Sequence, residues 1–271
     1  MKTIPAKTPN SSLKNLDVLP KRQFHKHVWA DYIEIRCLVN EDQELSKADI
    51  IDDFRERVRD LGEGESENDE ADRQGEGDED QAALSDKWEE RANDWFRHLQ
   101  YRAGAFGEAY PFNISADGDV LIAKSDKTVS QKLYIYLLFA ANLRHIPQHQ
   151  STIAANFEVL SCEAIKACLP KIAEAYIFGT TAPEGSKFRG NLWKKVNTLA
   201  QCLHESVLIP EEKIDPRDSG DNGLDIVAWV PFDDAAGGLP IMFGQCACTD
   251  EWDFKQSTTS CDRWRHVISL T

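Results

Sequence analysis

No stretch of this 271-residue chain approaches a membrane span. The longest apolar run, around Leu133 to Leu143, is far shorter than the ~18 residues a spanning helix needs. Lysines near the N-terminus have no apolar run behind them, so a signal peptide is not expected. A Gly-rich phosphate loop of the Walker or Rossmann kind is missing, as are G-x-S-x-G and H-E-x-x-H, and no internal repeat is visible. A strongly basic stripe is missing too, which weighs against tight non-specific DNA binding by this chain alone. The seven cysteines are odd in number and scattered, so they form no disulfide framework. These absences lead to the expectation of a soluble, cytoplasmic protein without a membrane partner.

What is present is a globular composition, 41% hydrophobic and 28% charged, long enough for one large domain or two small ones. The formal charge of -15 is unevenly spread. Residues 63–80 carry ten acidic residues and a single arginine, so more than half of the excess sits in one segment. That segment has almost no apolar residue to offset its ordering entropy, and a disordered acidic loop is expected there. The net charge therefore says little about any one surface.

Residues 1–28 are polar and contain Pro5, Pro9 and Pro20, as a flexible lead-in would. From Trp29 to Val39 the chain is rich in β-branched and aromatic residues, and periodicity does not choose between a strand and a buried helix. Ser46 with Asp49 is an N-cap signal for a helix that Gly62 ends. Leu84, Trp88, Ala92 and Phe96 recur at helical spacing. A short strand is expected over 119–124. Ser130 to His145 is apolar nearly all round and reads as a buried helix, and another helix follows up to Pro170. The C-terminal third reads helix, strand, strand, short helix, strand, the last strand being the "WRHVISL" segment. The expected architecture is α+β: a mostly helical domain over 29–180, then a small mixed β-sheet flanked by helices over 181–271.

Two strands of that last region carry candidate chemistry. "SGDNGLDIVAW" places Asp225 among apolar residues on a strand that looks central, and a carboxylate there is costly unless it is paired or bound to a metal. "MFGQCAC" places Gln245 beside Gly244 on the following strand. Carboxylate and amide oxygens on adjacent strands suit a hard cation, and a nearby lysine can relieve charge on a scissile phosphate. The bland readings are an ordinary tight turn at "GDNG" and a pair of core thiols at Cys246 and Cys248. A zinc site on that C-x-C would need two further ligands, for which Cys261 and His266 are the only local candidates.

A "G-D-x-G-x-D-x-x-A" run ahead of a strand with "G-Q-C" resembles the core of the PD-(D/E)XK, restriction-endonuclease-like nuclease superfamily. The resemblance covers about residues 190–270. It implies Mg²⁺ or Mn²⁺ held by Asp225 and Gln245, with Glu205 on the preceding helix as an additional carboxylate and Asp221 in the turn also able to face the site. One departure stands out: two residues after Gln245 is Ala247, where the pattern has lysine. Lys255 is the substitute the resemblance suggests. Lys187, Arg189, Lys194 and Lys195 are candidate phosphate contacts. The segments "ADYIEIRCL", "RAGAFGEAYPF" and "LYIYLLFAANLR" resemble parts of bacterial proteins that carry this core in antiphage or restriction-type loci. The implied activity is cleavage of DNA within such a defence system, regulated or delivered by a protein partner. A degenerate nuclease fold kept as an interaction module is the rival expectation.

Overall fold

The ambiguous segment after Trp29 is a helix. In this computed structural model, which describes residues 25–53 and 78–270 apart from 216, 219, 233, 235 and 249–254 (with 13, 16 and 20 ahead of them), α1 spans Lys26–Val39. Its residues Trp29, Ala30, Tyr32, Ile33, Ile35 and Cys37 are all buried, so nearly its whole circumference meets core. That explains why no clean amphipathic period is visible in the sequence. Strand β1 (Glu44–Ser46) follows, and then helix α2 over residues 47–53. The expected cap is there: the Ser46 backbone N–H donates to Asp49 Oδ2 (2.8 Å) and the Asp49 N–H donates to Ser46 Oγ (3.1 Å). The expected end of that helix at Gly62 and most of the acidic segment lie outside the described residues.

Helix α3 (Asp78–Phe106) starts before Leu84, so residues 78–80 are helical rather than part of a loop. Its Trp88, Ala92, Trp95, Phe96 and Leu99 are buried against α1, with the Trp29 and Trp95 rings stacked at 4.1 Å. Strands β2 (Phe112–Ile114) and β3 (Val120–Ala123) form a hairpin, and β1 pairs on the far side of β3, giving an antiparallel sheet of order β1-β3-β2. The sequence shows only one of these strands, because each is three or four residues long and carries too little alternation to be read. Helix α4 (Val129–Ala140) is less buried than its composition suggests, since Val129, Leu133 and Leu137 are exposed.

The chain divides into two compact units, one made of residues 1–139 with 144–147, the other of 140–143 with 148–271. The division falls ahead of the expected boundary near 180. The second unit thus gains α5 (Gln150–Cys168) and β4 (Glu174–Ile177). It continues with α6 (Leu192–Cys202), β5 (Ile226–Trp229), β6 (Ile241–Gly244) and a one-turn helix α7 (Cys261–Trp264).

Its sheet is an antiparallel meander, β4-β5-β6, where a mixed sheet was expected. Every residue of β5 is buried, as befits a central strand covered on both faces. Ile226 and Ala228 join Ala175 and Ile177 against Cys162 and Ile165 of α5. Val227 and Trp229, with Tyr176 and Phe178, face Leu192, Val196 and Leu199 of α6 and Trp264 of α7. The expected last strand is not one. After α7 the chain turns, and Ile268 makes an isolated bridge to Val207. The overall class is α+β, and among the described residues no helix is long and apolar enough to cross a membrane.

Candidate functional site

Asp225 enters β5 from a tight turn that its neighbours dictate. The Leu224 N–H donates to the Asp221 carbonyl (3.1 Å) across Asn222 and Gly223, both at positive φ (55° and 77°). Asn-Gly is the pair such a turn favours. Asp221 braces it by accepting the Gly223 N–H on its own carboxylate (2.8 Å). Gly223 also lets Thr258 approach, since a Cβ there would lie 2.6 Å from the Thr258 Cβ.

At Asp225 the ladder to β4 is bulged. The Asp225 carbonyl accepts from both Phe178 N–H (2.7 Å) and Gly179 N–H (3.1 Å), two residues opposite one. The extra residue brings Gly179 beside the Asp225 side chain. A Cβ on Gly179 would sit 3.4 Å from Asp225 Oδ1 and 3.2 Å from Glu158 Oε2. The two carboxylate oxygens are therefore no more than about 7 Å apart, a span that one cation with its water can bridge.

Asp225 is buried, and its Oδ2 accepts the Cys246 N–H at 2.6 Å. Its pKa is nevertheless raised. Burial is the main cause, outweighing the Cys246 hydrogen bond; Asp221 adds to it, and only the Lys255 ammonium opposes it electrostatically. Glu158, on α5, accepts the Thr181 hydroxyl and is raised as well, by burial first and then by Asp225 and Asp221. Neither carboxylate has a lysine or arginine within ion-pair distance among the described residues.

Gln245 directly follows β6 and meets the Thr258 hydroxyl. The same hydroxyl lies 3.1 Å from the Gly223 carbonyl and 2.7 Å from the Lys255 carbonyl. One hydroxyl proton cannot serve three acceptors. Turning the Gln245 amide so that its NH₂ donates to Thr258 would relieve one of the three and leave the hydroxyl proton shared between the two carbonyls. Lys255 stands at the start of the 3₁₀ turn Gln256–Thr259, close enough to favour the ionised forms of Asp225 and Cys248.

Glu205 is not part of this group. Its Oε1 accepts the Gly238 N–H (3.1 Å) and its Oε2 the Ser269 hydroxyl (3.0 Å). Gly238 lies in the β5–β6 connection, at the opposite end of β5 from Asp225, a strand length of roughly 13 Å away. The carboxylate beside Asp225 is Glu158. A sequence signal existed for it: Glu158, Cys162, Ile165 and Leu169 share one helical stripe, and the other three pack on the sheet.

Two of the four candidate phosphate contacts have other roles. Lys195 is 2% exposed, with its Nζ 3.3 Å from the Phe178 carbonyl and drawn electrostatically toward Asp221 and Asp218. Lys187 pairs with Glu174 (2.9 Å) and lies over the Tyr176 and Trp229 rings. Arg189 and Lys194 are exposed. Burial pushes the Cys246 thiol up to about 12 and raises Cys248 too. Among the described residues no group of three or more His, Cys, Asp or Glu side chains is arranged to hold a metal. Two carboxylates and an amide oxygen still fit a hard cation that keeps most of its waters, as Mg²⁺ does. Comparison with family models, with curated proteins and with solved structures gives no match to this chain.

Proposed function

We propose that the C-terminal unit hydrolyses phosphodiester bonds of DNA with a divalent cation, Mg²⁺ or Mn²⁺, held by Asp225 and Glu158. The observation that carries this reading is the pair of carboxylates beside Gly179, both raised in pKa and neither neutralised by a basic side chain. Half-buried like charges repel and cost stability, and a cation between them turns that cost into binding energy. Such an ion would polarise a phosphodiester and acidify the water beside it. Asp225 and Glu158 would orient the ion. Gln245 would offer an amide oxygen, Thr258 would hold that amide in place, and the Lys255 ammonium would relieve charge developing on phosphate. The resemblance in the turn and the two strands adds the setting: a bacterial antiphage or restriction-type system with a protein partner.

A second reading has its own support. Ala247 stands where the resemblance calls for lysine, and Gln245 where it most often has a carboxylate. A nuclease fold that has lost its chemistry and serves as an interaction module would look this way. Plasmid nicking by the purified chain in Mg²⁺ or Mn²⁺ separates the two. The enzyme reading expects nicking that EDTA stops and that Asp225→Ala and Glu158→Ala each abolish. Nicking that survives Asp225→Ala, or none with either cation, would sink it, and cation binding without nicking would favour the module.

A further inference from the structure

The N-terminal unit carries a feature that the acidic composition hides. His25 caps helix α1, and it and the first helical residues Lys26 and His27 are all exposed, the two imidazoles stacked at 5.5 Å. Beside them α3 presents Asp94, Arg97, His98 and Tyr101 on one face, at helical spacing. Lys26 and these four residues line a half-open surface groove of about 490 Å³. Tyr101 is 69% exposed, and its ring stacks on His98 at 5.8 Å and 16°. Lys26 has no ion-pair partner among the described residues, whereas Arg97 shares its charge with Asp94 at 2.7 Å. Of the charged side chains lining the groove, Lys26 and Arg97 are set against Asp94. His98 is lowered in pKa, by burial first and then by Arg102, Lys26 and His27, with only Asp31 opposing.

We propose that this face, formed by the N-cap His25 and by Lys26 and His27 of α1 with Arg97, His98 and Tyr101 of α3, binds single-stranded nucleic acid. The chemistry that favours this partner is the combination of parts. The exposed Tyr101 ring, backed by the half-buried His98, offers a π-surface to an unpaired base, and Lys26 and Arg97 offer contacts to the phosphates on either side. A duplex has no base face to give Tyr101, and an acidic peptide has no ring that needs it. The inference stands apart from the cleavage reading, because none of these residues belongs to the C-terminal unit.

The test is fluorescence anisotropy of a fluorescein-labelled oligothymidylate titrated with the full chain in EDTA, where cation-dependent cleavage cannot contribute. Saturable binding is expected, weakened about tenfold by Tyr101→Ala and restored by Tyr101→Phe. Lys26→Ala is expected to weaken it severalfold and to make its salt dependence shallower. Both side chains are exposed, so unchanged thermal melts are expected to accompany these losses. Absence of binding, binding indifferent to Tyr101→Ala, a preference for duplex, or equal displacement by polyglutamate would each overturn the proposal.

Discussion

Glu158 and Asp225 are candidates because of what their burial as carboxylates costs. Burial raises both carboxylates first; Asp225 and Asp221 then raise Glu158, and Asp221 raises Asp225, so with no cation present the folded unit carries unrelieved repulsion. Glu158→Gln keeps an oxygen for the Thr181 hydroxyl and removes one of the charges. The variant is expected to melt a few degrees higher than the parent in EDTA and to lose most of the extra stability that Mn²⁺ gives the parent. Thermal melts with and without the ion check both halves, and a variant less stable in EDTA would contradict the repulsion argument. Asp225 was legible in the sequence because a lone carboxylate among Leu, Ile, Val and Ala has few structural excuses. Glu158 shares a legible stripe with Cys162, Ile165 and Leu169, but acidic residues on helices are common and only the fold shows that this stripe meets the sheet beside Asp225. Glu205 misled for the complementary reason: being just after a helix that precedes the strand says nothing about which end of the strand it reaches.

A second buried carboxylate obeys different rules. Glu34 is wholly buried in the N-terminal unit, where it accepts hydrogen bonds from Tyr110 (2.8 Å), Tyr134 (3.0 Å) and Arg102 (2.8 Å). Burial outweighs the Arg102 guanidinium and lifts its pKa to about 7. Arg102 keeps a partner in Asp31 (2.7 Å) when Glu34 is neutral. Between the ordinary glutamate range and about 7 the folded state holds a proton that the unfolded chain has released. This contribution to stability is therefore complete in acid and is lost as the pH rises through about 7. Urea midpoints at about pH 5 and about pH 8 should show that decline in the parent, and a shallower one in Glu34→Gln. Equal slopes would mean that Glu34 titrates normally.

At the scale of elements, the candidate site depends on two short irregularities at the ends of regular strands. The bulge at Phe178–Gly179 aims a glycine at the carboxylates, and the Asn222–Gly223 turn delivers Asp225 while admitting Thr258. Gly223→Ala would place a side chain at φ +77° and drive its Cβ into Thr258. The strain of that conformation alone is about 1–2 kcal/mol, and the collision adds to it. Urea unfolding should show a loss of about 2 kcal/mol or more, together with weakened cation stabilisation as Thr258 shifts away from Gln245. The turn was readable, since "DNG" before an apolar run is a strong local signal. The bulge was not, because nothing in "IFGTT" marks where two residues oppose one. The same limit explains the missed hairpin strands, and also the final segment: β-branched "HVIS" looks like a strand, yet Trp264 is buried and the helix and turn around it set the local backbone.

At the scale of the whole molecule, the two units have separate cores and separate electrostatic problems. One centres on Glu34 and the stacked Trp29–Trp95 pair, the other on the sheet that carries Asp225. The sequence placed the division near 180 because composition changes there. Contacts place it earlier, because α5 and β4 complete the C-terminal sheet whatever their composition. Two cores of this kind give a calorimetric expectation for the full chain. If Mn²⁺ binds the native second unit as proposed, it should raise the melting of that unit by mass action and leave the melting of the first unchanged. Raising the pH from about 5 to about 8 should lower the melting of the first unit through Glu34. Two transitions that respond separately, one to cation and one to pH, would follow from this assignment. A single transition that moves as a whole with either variable would mean that the units unfold together, and the argument from separate cores would have to be abandoned.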